Sequence, residues 1–250
     1  MEQKKHIIIN ADDCGMNAVV NEHIEKAILA GKITSTTVMA NMGDLEGAVE
    51  LYKKYHDRIS FGWHLNLSEG KPLLKSQRLL DYGFYVERDG VIEMNGRMFL
   101  RKWLPSDVRN ELMCEMIAQY ELLRDFGIDI SHLDSHHHVH TSTWAVTMIP
   151  ALLRKTGIKR MRCMFNNKPR GLDIYVRKAW AKAMQLQVPG LRLPEVQSGF
   201  EMFMNDGLMA KGNIIELECH PGHPRFEQEE KLLMQTDVNS FGQLMSFCSL

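Results

Sequence analysis

The chain has 250 residues, 44% of them hydrophobic and 24% charged, with a formal net charge of -1. That length suits one full α/β barrel or two small domains, and the near-neutral balance leaves no basic surplus for a nucleic-acid backbone or an anionic membrane surface. No apolar run approaches the ~20 residues of a membrane span, the run 6–9 is too short for a secretory leader, and the five cysteines form no CxxC pair, which points to a cytoplasmic protein with reduced thiols.

Strand-like and helix-like segments alternate along the chain. Residues 7–10 are a short β-branched run. Residues 19–29 have helical spacing, with Val20, Ile24, Ala27 and Ile28 on one face and Gly31 as a stop. The Thr- and Val-rich stretch 33–40 reads as a strand and 45–55 as a helix. In 59–67, Ile59, Phe61, Trp63, Leu65 and Leu67 alternate with Ser60, Gly62, His64 and Asn66, the period of a strand. Residues 68–104 carry scattered glycines and no clear period, and read as a lid or substrate-binding insertion. A long helix follows over 106–126, with Ser106 as cap and Gly127 as stop. After it come a His-rich strand end (132–140), a helix (143–155), a strand (159–164), a helix (173–187) and a strand (213–220). Such repeated units predict a parallel sheet covered by helices. The best fit is one domain over 1–250, a single (β/α) barrel, TIM-like and irregular.

Polar side chains recur at the strand ends. In parallel α/β folds those ends share one face, and that face carries the site. Asp12 and Asp13 follow the first strand; two adjacent carboxylates repel when buried, and a divalent cation removes that cost. One would bind metal while its neighbour acts as a base; alternatively the pair simply caps the following turn. His64 ends another strand, where a lone histidine can equally be a hydrogen-bonded core residue. The segment Ser131-His132-Leu133-Asp134-Ser135-His136-His137-His138-Val139-His140 holds five histidines in nine residues, which packing alone does not explain. Imidazole nitrogens with a carboxylate favour zinc and other transition metals. Along a strand at ~3.3 Å per residue, His136 and His140 stand ~13 Å apart, so one ligand from this segment is expected. His220 ends the last strand before Pro221-Gly222 and reads as a general acid or as a polar turn residue. Cys219 reads as a small buried residue, and Cys14 has no basic neighbour in sequence to activate it.

These segments resemble the YdjC-like family, whose best-known members are chitooligosaccharide deacetylases. The resemblance rests on Asn10-Ala11-Asp12-Asp13-x-Gly15, Thr34-Ser35-Thr36-Thr37, His64-Leu65 with Gly70-Lys71-Pro72-Leu73, the segment 132–140, and Cys219-His220-Pro221-Gly222, and it spans roughly residues 6–224. It implies a (β/α)-barrel-like fold and removal of acetyl groups from N-acetylated sugars. It also implies a divalent metal, magnesium in the family and chemically compatible with zinc, held by Asp13, His64 and His136. Similarity to the broader polysaccharide deacetylases makes Asp12 the base and His220 the acid. Tyr82, Phe84, Tyr85 and Trp103 are candidates for stacking on sugar rings, or for local packing. Cys14 stands where the family commonly has an aromatic residue, and the tail 225–250 does not resemble the usual closing strand and helix. The partner expected is an N-acetylated sugar, with no nucleic acid or membrane; a homodimer stays open. Two rival readings remain: a catalytically silent metal-binding or regulatory protein, and another metallohydrolase such as a phosphoesterase, for which no Arg or Lys convergence is visible near the motifs.

Overall fold

A computed structural model of the chain describes residues 5–163, 173–205 and 212–250. Strands and helices alternate as β1 (His6–Cys14), α1 (Ala18–Leu29), β2 (Ser35–Val38), α2 (Leu45–Tyr55) and β3 (Ser60–Leu65). The insertion follows, with α3 (Gln77–Tyr82), β4 (Tyr85–Arg88) and β5 (Val91–Met94). Then come α4 (Ser106–Asp125), β6 (Leu133–Ser135), α5 (Ala145–Thr156), α6 (Asp173–Gln187), β7 (Val196–Gly199), α7 (Phe200–Asn205), β8 (Ile214–Cys219), α8 (Glu227–Gln235) and the short β9 (Gln243–Leu244). The main sheet has the order β6-β3-β2-β1-β8-β7, with β9 added beside β1, and all its pairings are parallel.

The sheet curls into a half-barrel. The expected TIM-like barrel is not completed where the strand predicted at 159–164 belongs. There, two isolated parallel bridges, Leu133 to Met161 and Arg160 to Arg192, replace a ladder; residue 164 lies outside the described residues. Period-2 alternation explains the curl's two faces. On β1, Ile7, Ile9 and Ala11 join the core under the helices, while Ile8 meets Phe247 and Leu250 on the inner side. Asn10 and Asp12, in phase with Ile8, also face inward. On β3 the alternation read from the sequence holds: Phe61, Trp63 and Leu65 enter the helix-side core, and His64 bonds to inward groups. Gly62 is obligatory in that inner row, because a Cβ there would sit 2.5 Å from the His132 ring.

The insertion is more ordered than its glycines suggested. Ser76 accepts from the Leu79 N–H to start α3, and Gly83 at φ 90° ends it. Asp89 and Gly90, at φ 51° and 76°, make the tight turn of the β4–β5 hairpin, the Asp-Gly signature of a primed turn. Buried Glu115 on α4 accepts from the N–H groups of Leu73 and Leu74 and from the Tyr85 hydroxyl, tying the insertion down. At the start of α4, Pro105 occupies the cap position and Ser106 begins the helix. The tail also packs. β9 pairs with β1, Phe247 is fully buried and stacks on His132 at 3.6 Å between ring centroids, and the Leu250 carbonyl accepts from Arg160 and Arg192.

Candidate metal and catalytic site

Strand ends on the inner face bring five predicted site residues together. β1 does not stop before the aspartates but runs through them to Cys14, with its register shifted between Ala11 and Cys14. Asp13 has φ 68°, a left-handed conformation that is rare for non-glycine residues and often marks a functional constraint. At the end of β6 the expected strand geometry gives way. The strand ends at Ser135, and a 3-10 turn follows in which His137 (φ 51°) and His138 (φ 52°) are both left-handed. The even-numbered histidines therefore do not share a strand face.

That turn separates the histidines by role. His136 Nδ1 lies 2.9 Å from Asp13 Oδ1, and His64 Nε2 lies 3.2 Å from the same oxygen. The ligand-capable atoms of Asp13, His64 and His136 all fall within 4.8 Å of one another. His64 Nδ1 is 2.7 Å from Asp134 Oδ1, and Asp134 also accepts from the Thr37 hydroxyl at 3.0 Å. His64 Nε2 is buried and makes no hydrogen bond despite its proximity to Asp13. An orphaned buried nitrogen is costly, and a cation shared with Asp13 and His136 would satisfy it. Two imidazoles and a carboxylate, one imidazole oriented from behind by a second carboxylate, are a donor set suited to a divalent ion. In these surroundings burial opposes both charged forms, yet His136 and His64 hold the Asp13 carboxyl well below its usual range, and Asp134 and Asp13 hold His64 well above its own.

Asp12 faces the same cavity. Arg162 forks onto both its oxygens at 2.7 and 2.6 Å, and the Asn10 amide donates at 2.8 Å. Burial raises the Asp12 carboxyl, but Arg162 overrides it and leaves it far below the carboxylate range. On its other side, His220 Nε2 stands 3.9 Å from Asp12 Oδ2. His220 lies flat on Phe226, and Glu229 receives both its backbone N–H and its Nδ1. Burial lowers the ring's pKa, while Glu229, ahead of Asp12, brings it up to about 9. His220 is therefore an imidazolium at neutral pH. Asp12, Asp13, His64, His136 and His220 line a cavity of about 370 Å³, with Gly199, Met202, Glu218, Arg225 and Phe226 among its walls.

Of the remaining histidines, His137, His138 and His223 also line the cavity, whereas His132 and His140 are not among its walls. His132 is buried against Phe247 and next to Ser131 and Asn10, and burial pushes its pKa well down. His140 is buried on Ser135 and is likewise held neutral, first by burial. His138 Nε2 is 3.5 Å from Glu218. Of the four aromatics considered for sugar stacking, Phe84 and Tyr85 are buried, Tyr82 stacks on Phe84 with Arg78 and Arg101 over its ring, and Trp103 is 70% exposed. Burial pushes the Cys14 thiol up to about 12, so it is no nucleophile. Cys219 is fully buried beside the Asn10 carbonyl.

Sequence reasoning missed Arg162. It is fully buried and meets Asp12, Glu216 at 2.7 Å, Asp134 at 2.9 Å and Glu218 at 3.2 Å. Nothing in its sequence neighbourhood marks it. Glu216 and Glu218 do carry a signal, being charged residues two apart on an otherwise apolar strand. Burial pushes Glu216 up to about 8 even against Arg162. Glu229 has no signal, because it reaches the site from helix α8.

The YdjC-like protein family model matches residues 6–244. A carbohydrate deacetylase of Halalkalibacterium halodurans is 30% identical, over 87% of this chain and 85% of its own. The carbohydrate deacetylase of Geobacillus stearothermophilus is 28% identical over 88% of this chain and 80% of its own. That of Vibrio cholerae (strain M66-2) is 37% identical over 60% of this chain, and the match spans 55% of the relative. Among solved structures, a protein of Enterococcus faecalis V583, provisionally named for cellobiose-phosphate cleavage, shares the fold with a TM-score of 0.76 at 24% identity over 98% of both chains.

Proposed function

The chain belongs to the YdjC-like family, and on that premise we propose that it is a metal-dependent carbohydrate deacetylase that hydrolyses the acetamide of N-acetylated sugars. One arrangement carries the reading: a cation donor set (Asp13, His64, His136), an ionised carboxylate (Asp12) and a protonated imidazole (His220) in one cavity. Amide hydrolysis needs these three functions together, an electrophile, a proton acceptor and a proton donor.

Asp13, His64 and His136 would hold the ion. Magnesium is the ion the family resemblance implies, and the two imidazoles suit zinc or another transition metal as well. When bound, the ion would acidify a water and polarise the acetyl carbonyl. Asp12 accepts the water's proton as oxygen attacks the carbonyl carbon. The Arg162 fork lowers the basicity of Asp12 but keeps it ionised and aimed into the cavity. His220 already carries a proton at neutral pH, and donates it to the amine nitrogen as the C–N bond breaks. Glu229 holds the ring in place through that transfer. Trp103, an exposed aromatic of the insertion, offers a face for a further sugar ring. The likeness of the relatives' names to this chemistry supports the reading, as does the commitment of Arg162 to four carboxylates rather than to a phosphate.

Asp12→Asn tests the base. General-base assistance is typically worth ~10²–10⁴-fold, so kcat for acetate release should fall by about that factor while metal content stays unchanged. Near-normal turnover in a metal-loaded variant would remove Asp12 from the mechanism.

A further inference from the structure

Glu218 borders the catalytic cavity but has no task in the reaction. On β8 it is in phase with Glu216, and it stands opposite Asn10 of β1, so it faces inward. The residue is only 9% exposed. Its Oε2 is buried and accepts no hydrogen bond, although Arg162 Nη1 stands 3.2 Å away. Its Oε1 lies 3.5 Å from His138 Nε2, longer than a good hydrogen bond. A buried carboxylate so poorly hydrogen-bonded is costly unless another donor reaches it. Burial opposes its charge, but His138 and Arg162 hold the carboxyl below its usual range, and an ionised carboxylate only accepts.

The neighbouring strand leaves room for such a donor. Gly199 of β7 pairs with Glu218 and also lines the cavity. Among the described residues outside its own chain neighbours, a Cβ at Gly199 would meet only Glu218 Oε1, at 4.0 Å. The space beside that oxygen is therefore open. Its place is equally informative. Arg162 Nη1 reaches Asp12 Oδ2 at 2.7 Å and Glu218 Oε2 at 3.2 Å, so the two carboxylates flank one guanidinium nitrogen. A sugar ring whose acetamide reaches Asp12 passes beside Glu218.

We infer that Glu218 is a specificity-determining residue, accepting a hydrogen bond from a ring hydroxyl of the sugar that carries the acetamide. This rests on the deacetylase reading and deepens it: the cavity selects its substrate by that hydroxyl as well as by the acetyl group. A site built around a hydroxyl rejects the analogue that lacks it, because the buried acceptor is then left unpaired. No proton of the reaction passes through Glu218, so its loss shows in the choice between substrates.

The test is acetate release by metal-loaded, full-length protein from diacetylchitobiose, or from whichever N-acetylated sugar it turns over best, and from the analogues of that sugar each lacking one ring hydroxyl. A hydrogen bond to a charged group changes kcat/KM by ~10–100-fold. Wild type should discriminate against at least one deoxy analogue by about that factor. Glu218→Ala should lose a similar factor on the parent sugar and treat parent and that analogue alike. Glu218→Gln, which keeps an acceptor oxygen, should retain part of the discrimination. A purely structural role through Arg162 would instead slow every substrate equally and leave the discrimination intact, which overturns the inference. Wild type that turns over every deoxy analogue as well as the parent overturns it too, independently of how the variants fold, and leaves the deacetylase reading standing. Folded, metal-loaded wild type that releases acetate from no N-acetylated sugar overturns both.

Discussion

Charge balance around single side chains sets the chemistry. Arg162 is surrounded by Asp12, Asp134, Glu216 and Glu218 with no exposure to water. Removing one partner of a buried ion pair strands the others and costs ~3–5 kcal/mol. Arg162→Met should therefore lower unfolding free energy by about that much in urea denaturation; a loss under ~1 kcal/mol would mean that the cluster relaxes or takes in water. His220 gives the pH dependence. Its raised pKa means that its contribution to stability is fully present below about 6.5 and is lost as pH rises through about 9. The same titration removes the proton from the proposed donor, so activity should decline through about pH 9. Glu229→Gln keeps the acceptor for the His220 N–H but deletes the charge, and should move that limb down toward 6.5, the ordinary histidine value. An unmoved limb would assign it to another group.

At the scale of elements, legibility followed periodicity. The β3 alternation put His64 on the inner row because apolar and polar positions strictly interchange there. β8 was readable for the same reason. The 132–140 segment was recognised as metal-capable, but strand spacing misplaced its histidines, since a left-handed turn at His137 and His138 breaks the period after Ser135. Local sequence does not encode that turn; the packing of His136 against Asp13 selects it. In the insertion, the Asp89-Gly90 hairpin signal was present but was outweighed by the scattered glycines. The tail was illegible because its partners are remote: Phe247 packs against Ile8 and His132, and its backbone N–H donates to the Ser60 hydroxyl. Phe247→Ala should destabilise the fold by ~3–5 kcal/mol, as for other buried aromatic truncations, with the Asp13–His64–His136 cluster intact at low temperature. A thermal melt reads this directly, and an unshifted midpoint would make the tail an ornament.

At the scale of the molecule, the parallel order β6-β3-β2-β1-β8 explains how residues up to 208 positions apart meet. Asp12 on β1 lies between β8, which delivers His220, and the β2–β3–β6 side, which delivers Thr37, His64 and His136. A parallel sheet puts all these C-terminal ends on one face, so the site was legible as a face before it was legible as a geometry. The groups that reach it from outside the strand ends, Arg162 from a bridge segment and Glu229 from a helix, were not. No described helix is long and apolar enough to cross a membrane.

The most direct test of the whole account is acetate release from diacetylchitobiose by metal-stripped protein, with magnesium, zinc, manganese or cobalt then added back. The account predicts no release without metal, recovery with at least one ion, and no recovery in His64→Ala. Full activity of stripped wild type, or no release from any N-acetylated sugar by folded, metal-loaded protein, would contradict it.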